Sequence, residues 1–461
     1  MPRRGPGPVP GADEVLFLPL GGCSEIGMNM SLYGHAGKWL IVDAGVAFAG
    51  EDMPGIQALM PDPSFIEERR ADLVGLVVTH AHEDHIGAIH HLWPRLRCPI
   101  YATPFAAHVL RERFVEAGTA RDVRIRIIPV GASFRAGPFA IDTIAVTHSI
   151  PEPVALAIRT AAGTVLHTGD FKFDPEPLVG FTTDFARFEQ LGRDGVLAMM
   201  GDSTNALVDG VTGSEADARA GLEQAFAGRR GAVAVTCFAS NVARLKAIAE
   251  AARMHDRQVV LAGRSLMRME QAARACGHLD GVPAFLNPTD AARTPRRHLV
   301  LACTGSQGEE RAALSRIARG EHRHLDLRTG DTAIFSARAI PGNEEAITGV
   351  QFLLRAREVE VVTAADARVH VSGHPSRGDL TRLYDLIRPA IAVPVHGTPV
   401  HLQAHADLAL ACGVGQVALP EDGLMLRLSR AGVESAGRID PKRLAHDGAE
   451  LLAWPAEQEA A

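Results

Sequence analysis

No apolar run in this chain approaches the roughly 18 residues that a membrane span requires. No apolar signal core follows the basic start Met1-Pro2-Arg3-Arg4 either. The six cysteines (Cys23, Cys98, Cys237, Cys276, Cys303 and Cys412) form no CxxC pair and no disulfide-like spacing. These absences predict a protein of the reducing cytoplasm that neither crosses nor binds a membrane. Lysine is nearly missing, standing only at Lys38, Lys172, Lys246 and Lys442, so arginine supplies almost all of the 47 basic residues. That bias reads as a GC-rich genome rather than as selection for phosphate binding. Positive charge is also short overall: the net charge of -7, taken whole, argues against a nucleic-acid partner.

What is present is enough for a large folded molecule. The length of 461 residues fits two compact domains, or one domain interrupted by another, and 46% hydrophobic against 22% charged residues excludes global disorder. The 20 histidines invite a metal or proton-transfer reading.

Residues 1–11 are rich in Pro and Gly and are expected to be a flexible tail. From Val15 onward, short apolar runs end in polar residues: WLIVDAG, LVGLVVTH, FAIDTIAVTH and GTVLHTGD. They read as strands that place Asp43, His80, His148 and Asp170 along one sheet edge. Near residue 206 the pattern becomes strand and helix in turn (GAVAVTCF, a helical ASNVARLKAIAEAARMHD, QVVLAG, HLVLACTG, DTAIFSA), as in a parallel doubly wound α/β unit. After about 365 the strand-end pattern returns with ARVHVSGHPS, IAVPVHGTPV, QVALP and GLMLRLS. The expected division is 12–205, an insertion over 206–365, a return over 366–440, and a C-terminal tail over 441–461 that frays in LLAWPAEQEAA. Charge divides along the same line. Residues 206–360 hold 21 basic against 18 acidic side chains, and the rest hold 26 against 36. A metal site needs carboxylates and a polyanion-binding wall needs few, so the split weakens the objection from net charge.

The densest chemistry is Val78-Thr79-His80-Ala81-His82-Glu83-Asp84-His85-Ile86-Gly87, directly after an apolar strand. Neutral imidazole and carboxylate suit Zn or Mn, and a turn at a strand end can aim alternate side chains at two points. Distal candidates stand at other strand ends: His148 in AVTHS, Asp170 in HTGD and His396 in VPVHG.

An HxHxDH cluster followed by a distal His, TGD and a final HG resembles the metallo-β-lactamase superfamily. The resemblance implies an αβ/βα four-layer sandwich with a dinuclear site holding two divalent ions, Zn or Mn. His80, His82 and His148 would hold one ion; Asp84, His85 and His396 the other; Asp170 would bridge, with Asp43 supporting from behind. An α/β insertion between TGD and the final HG resembles the β-CASP arrangement. The segments GDFKFDPEP, EQLGRDGVLAMMGDSTNA, TCFASNVAR, ACTGSQGE, IFSARAIPGNE and HVSGHPSRGDL, spread over about residues 15–440, resemble the ribonuclease J family.

That family resemblance implies hydrolysis of single-stranded RNA, 5′→3′ from 5′-monophosphate ends with possible endonuclease activity, by a homodimer. Asp84 would serve catalysis as a metal ligand. His374, in VSGHPS, would protonate the leaving 3′-oxygen, and Asp202, in GDSTN, would orient it. Ser240, Asn241, His370, Ser372 and Gly373 would form a 5′-monophosphate pocket, although Ser240 could simply cap its helix. Members of the family commonly carry a further C-terminal domain, which this chain is expected to lack. The final ligand is followed by Gly397-Thr398 rather than the usual Gly-Glu, and Glu152 stands where Asp is common. Two competing functions remain at this stage: a small-molecule hydrolase of the same superfamily, and a catalytically silent RNA-binding subunit.

Overall fold

The computed structural model describes residues 8–50, 53–340 and 342–454. Two sheets face each other at its centre. An eight-stranded sheet contains, in order, Gly432–Arg438, Leu424–Ser429, Val15–Gly21, Met30–His35, Lys38–Val42, Leu73–Val77, Ile100–Ala102 and Ile125–Ile127. A seven-stranded sheet contains Gln416–Val417, Ile391–Val395, Ala198–Asp202, Thr164–His167, Val154–Arg159, Phe139–Ala145 and Ser133–Ala136.

The strand Val15–Gly21 shows why these segments are apolar on both faces. Successive side chains alternate across a sheet. Val15 and Phe17 therefore enter the core between the sheets with Leu156, Ile158 and Val393. Leu16 and Leu18 join the outer core under Leu92, Leu96 and Leu110. The second sheet is backed likewise: Phe188, Leu383 and Leu408, from the helices Phe185–Asp194, Arg377–Ile387 and Pro399–Ala411, cover Leu166 and Met199. Helix, sheet, sheet and helix make the four-layer αβ/βα sandwich of the metallo-β-lactamase fold.

The inserted β-CASP unit has its own five-stranded sheet, wholly parallel, ordered Gln258–Ala262, Leu299–Cys303, Val233–Thr236, Thr332–Phe335 and Glu360–Val362. It leaves and rejoins the sandwich at adjacent strands, because Ala198–Asp202 and Ile391–Val395 pair in parallel with Asp202 opposite Val395. A buried cation ties its helices and strand end to the segment that returns to the sandwich. Arg244 is fully buried; its Nε and Nη2 donate to the two Glu215 carboxylate oxygens, and its Nη1 to the carbonyls of Ser336 and Val369. Glu152 supplies a second joint, accepting from the Phe105 N–H at 2.8 Å and from His278 at 3.0 Å.

Two expectations at the ends fail. Residues 10 and 11 of the supposed flexible tail are docked: their carbonyls accept from the N–H groups of Gly37 and Ala36 at 2.8 and 2.7 Å. Residues 441–461 are not simply a tail. Arg443–His446 pairs antiparallel with Ala58–Pro61, and Leu451–Trp454 adds a further strand. Leu444 and Ala445 are buried there, so apolar burial and edge pairing order a run too short to show a period. The remaining tail residues, 1–7 and 455–461, lie outside the described residues.

Candidate metal centre and cleft

The turn after the strand Leu73–Val77 presents Thr79, His80 and His82, and the short helix Glu83–Ile86 carries Asp84 and His85. Gly45 admits this turn: a Cβ there would lie 1.7 Å from the Asp84 carbonyl oxygen. Asp43 and His396, each just past a strand, adopt left-handed φ values of 60° and 56°. Such conformations cost on the order of 1–3 kcal/mol and persist only where the surroundings enforce them.

Each of the five imidazoles has one nitrogen held by a polar partner, although the held Nδ1 of His396 also lies 3.3 Å from Asp170 Oδ1. The partners are Thr79 Oγ1 for His80 (3.0 Å), Ser149 Oγ for His82 (3.5 Å), Asp43 for His85 (2.8 Å), the Gly373 carbonyl for His148 (2.5 Å) and Thr204 Oγ1 for His396 (2.9 Å). Inside, His82 Nδ1 lies 3.1 Å from His80 Nε2 and 3.0 Å from His148 Nε2. His396 Nε2 lies 3.2 Å from Asp84 Oδ2. His80, His82, His148 and Asp170 therefore offer ligand atoms within 4.8 Å of one another, as do Asp84, His85, Asp170 and His396. Asp170 belongs to both groups.

This donor set fits cations. Asp170 Oδ2 is buried without a hydrogen bond, although ring nitrogens of His85, His80, His148 and His374 stand 3.2–3.8 Å away. Burial, then repulsion among the rings, pushes His80 and His148 well below the ordinary histidine range, and burial lowers His82 to about 4. Their electron pairs are thus available. Burial opposes charge on His396 too, yet the Asp170, Asp202 and Asp84 carboxylates carry it up to about 10. Such carboxylate excess is what divalent ions neutralise. Tethers of this kind fix the ring orientation of a metal ligand.

His374 stands beside this centre with Nδ1 2.8 Å from Asp202 Oδ2. Burial alone would lower its pKa, but Asp202, by charge and hydrogen bond, raises it above the ordinary value. Nδ1 is committed to Asp202, so Nε2 is the nitrogen left for a substrate.

The expected phosphate pocket is assembled less completely. Asn241, not Ser240, caps the helix Val242–Met254, its side-chain oxygen accepting from the Arg244 N–H at 2.8 Å. Ser372 Oγ accepts from Asn205 at 2.7 Å and from the His374 N–H at 3.2 Å, and the Gly373 carbonyl holds His148. Those two residues thus serve the metal side of the cleft. A Cβ at Gly373 would lie 2.6 Å from the His148 ring, which explains the glycine. His370 keeps a buried Nδ1 without a partner, and burial, with Arg244, Lys172 and Arg338, lowers its pKa to about 3. Sequence reasoning missed Asn29, whose amide lies 3.2 Å from His85 Nε2, and Thr204. Thr204 sits inside GDSTNA and was within reach; Asn29 follows no motif.

Comparison with known families agrees with the arrangement. Residues 230–352 match the description "Ribonuclease J, beta-CASP domain", residues 38–286 "Beta-lactamase superfamily domain", and residues 359–416 "Zn-dependent metallo-hydrolase RNA specificity domain". The chain is 44% identical to ribonuclease J of Sinorhizobium meliloti over 440 residues, covering 95% of this chain and 78% of that one. It is 42% identical to ribonuclease J of Mycobacterium tuberculosis over 451 residues, covering 96% and 80%. A solved structure of a protein of unknown function from Enterococcus faecalis shares the fold with a TM-score of 0.61 at 16% identity, covering 90% of this chain and all of that one.

Proposed function

This chain belongs to the ribonuclease J family and is a metal-dependent ribonuclease, and on that premise we propose that it degrades single-stranded RNA 5′→3′ from 5′-monophosphate ends, with endonuclease activity besides. The observation that carries the reading is the His374–Asp202 pair, 2.8 Å apart, beside two donor groups that share Asp170.

His80, His82 and His148 would hold one divalent ion, and Asp84, His85 and His396 a second, with Asp170 common to both. Zn and Mn both suit imidazole and carboxylate. Ions bound there supply Lewis acidity at the phosphoryl group and favour ionised water near neutral pH. The protein's own residues do the rest. Asp43, the Gly373 carbonyl and Thr204 keep the liganding rings oriented. Asp202 keeps His374 protonated near working pH, so that Nε2 can deliver a proton to the departing 3′-oxygen. Ser240 and His370 would hold a terminal phosphate that fixes the chain's register. The family resemblance and six free cysteines support a homodimer acting in a reducing cytoplasm. Among the described residues, no helix is long and apolar enough to cross a membrane.

The test is degradation of end-labelled RNA carrying a 5′-monophosphate or a 5′-triphosphate, by wild type and by Asp84→Ala, with added Mn or Zn. Directional release of nucleotides from the monophosphate substrate, abolished by Asp84→Ala, is the expected result. Equal attack on both ends would overturn the end preference, and unaltered cleavage by Asp84→Ala would overturn the metal assignment.

A further inference from the structure

The inserted sheet has a reversal in its strand order. Its first strand, Val233–Thr236, is central; the next two lie to one side and the last two, beginning with Thr332–Phe335, to the other. Open α/β sheets bind ligands outside the carboxyl ends of the strands at such a reversal. Ser240 follows one of those ends and Arg338 follows the other. The linker to His374 runs alongside, since Arg244 joins the carbonyls of Ser336 and Val369.

Five arginines around the domain junction are paired. Arg244 faces Glu215, Arg113 faces Glu83, Arg268 faces Glu116, Arg368 faces Asp217 and Arg377 faces Asp209. Arg338 is different: it is exposed, and among the described residues its guanidinium has no hydrogen bond or ion pair. Its backbone, in contrast, is fixed. The buried Gln307 donates from Nε2 to the Arg338 carbonyl at 3.0 Å and accepts at Oε1 from the Ile340 N–H at 2.8 Å. Gly308 lets this clamp close on the helix Glu344–Ala356, because a Cβ there would lie 2.4 Å from the Ala346 carbonyl carbon. The Arg338 charge also reaches two histidines on other elements. It helps burial to depress the pKa values of His370 on the linker and of His401 on the helix Pro399–Ala411.

We propose that Arg338 grips a backbone phosphate of single-stranded RNA at the mouth of the cleft between the inserted domain and the metal centre. A planar guanidinium can bond two phosphate oxygens at once, and a cation already lacking a counter-charge gives up no partner to do so. The clamp by Gln307 places it before the RNA arrives. The role rests on the ribonuclease reading and concerns binding of the chain, not the breaking of the bond.

The experiment measures binding of a 5′-monophosphorylated single-stranded oligoribonucleotide with hydrolysis-resistant phosphorothioate linkages to the full chain loaded with manganese, across a range of salt. Arg338→Ala is expected to weaken binding about tenfold and to reduce the slope of log K against log salt by about 0.7, the value of one single-strand phosphate contact. Arg338→Lys should recover the slope with part of the affinity, since charge is restored without the planar fork. With cleavable RNA, the loss for Arg338→Ala should fall on KM. Arg328→Ala is the control: it removes an exposed arginine from the opposite, amino-terminal end of the strand Thr332–Phe335 and should leave slope and affinity as they are. Wild-type slope and affinity in Arg338→Ala would overturn the proposal, as would an equal loss in Arg328→Ala. Failure of the wild-type chain to bind this RNA at all would overturn the ribonuclease reading, and this proposal with it.

Discussion

The candidate metal centre and the carboxyl edge of the inserted sheet are built on opposite principles. In the centre, each of the five candidate ligand imidazoles is tied by a protein partner, and two strand-end residues are held in strained backbone conformations. At the sheet edge the backbone is also fixed, but polar side chains are left open: among the described residues His370 Nδ1 has no hydrogen-bond partner and Arg338 no counter-ion. Chemistry at phosphorus demands geometry preset to within fractions of an ångström, whereas a chain moving through a cleft must be held and released at each step. One region completes itself; the other keeps polar groups unpaired, as the proposed grip on RNA requires.

The contrast can be broken at several depths. The largest effect is expected from removing metal or a ligand. Chelation, or Asp84→Ala with added Mn, should cost several kcal/mol of transition-state stabilisation, about 10³-fold or more in kcat; full activity in a metal-free sample would end the metal reading. His374→Ala should follow, with a loss of roughly 10²–10⁴-fold in kcat and little change in KM, as for removal of a general acid. A change confined to KM would place His374 with the binding edge instead.

Arg244→Met leaves the buried Glu215 with only Lys172, 4.0 Å away, and should cost about 3 kcal/mol in denaturant unfolding. An unchanged midpoint would show that the inserted domain is not anchored through this joint. The smallest effect sharpens the comparison most. Ser240→Ala with His370→Ala should lower the preference for 5′-monophosphate over 5′-triphosphate RNA about tenfold, roughly 1.4 kcal/mol, while internal cleavage falls less. Equal losses in both assays would refute the end pocket.

How much of this was legible in the sequence depends on how local each feature is. HxHxDH is readable because one turn after one strand carries four of the ligand candidates, and the strand-end positions of His148, Asp170 and His396 are visible as apolar runs that stop. The alternation of strand and helix over 233–362 likewise shows the inserted sheet through its period. The resemblance to ribonuclease J, rather than any pattern of spacing, pointed to His374 and Asp202. Other features depend on contacts that no window of sequence contains. Asn29 meets His85 across 56 positions, Glu215 meets Arg244 only through the packing of two helices, and Arg443–His446 becomes a strand because Ala58–Pro61 offers an edge. The phosphate pocket lies between: its candidate residues fall in two short segments, but Ser372 and Gly373 contact His374, Asn205 and His148, and Asn241 is occupied with its helix.

The parallel pairing of Ala198–Asp202 with Ile391–Val395 also sets an order in time. A ribosome delivers the HxHxDH turn, His148, Asp170 and Asp202 early, then about 190 residues before the neighbouring strand and His396. His374 arrives just ahead of them. The centre therefore cannot be completed until the inserted domain has been synthesised, and a nascent chain stalled within that domain has neither the proposed proton donor nor the last candidate ligand. For an enzyme made on the very class of polymer it destroys, the topology postpones the ability to cut until the guiding wall is already there.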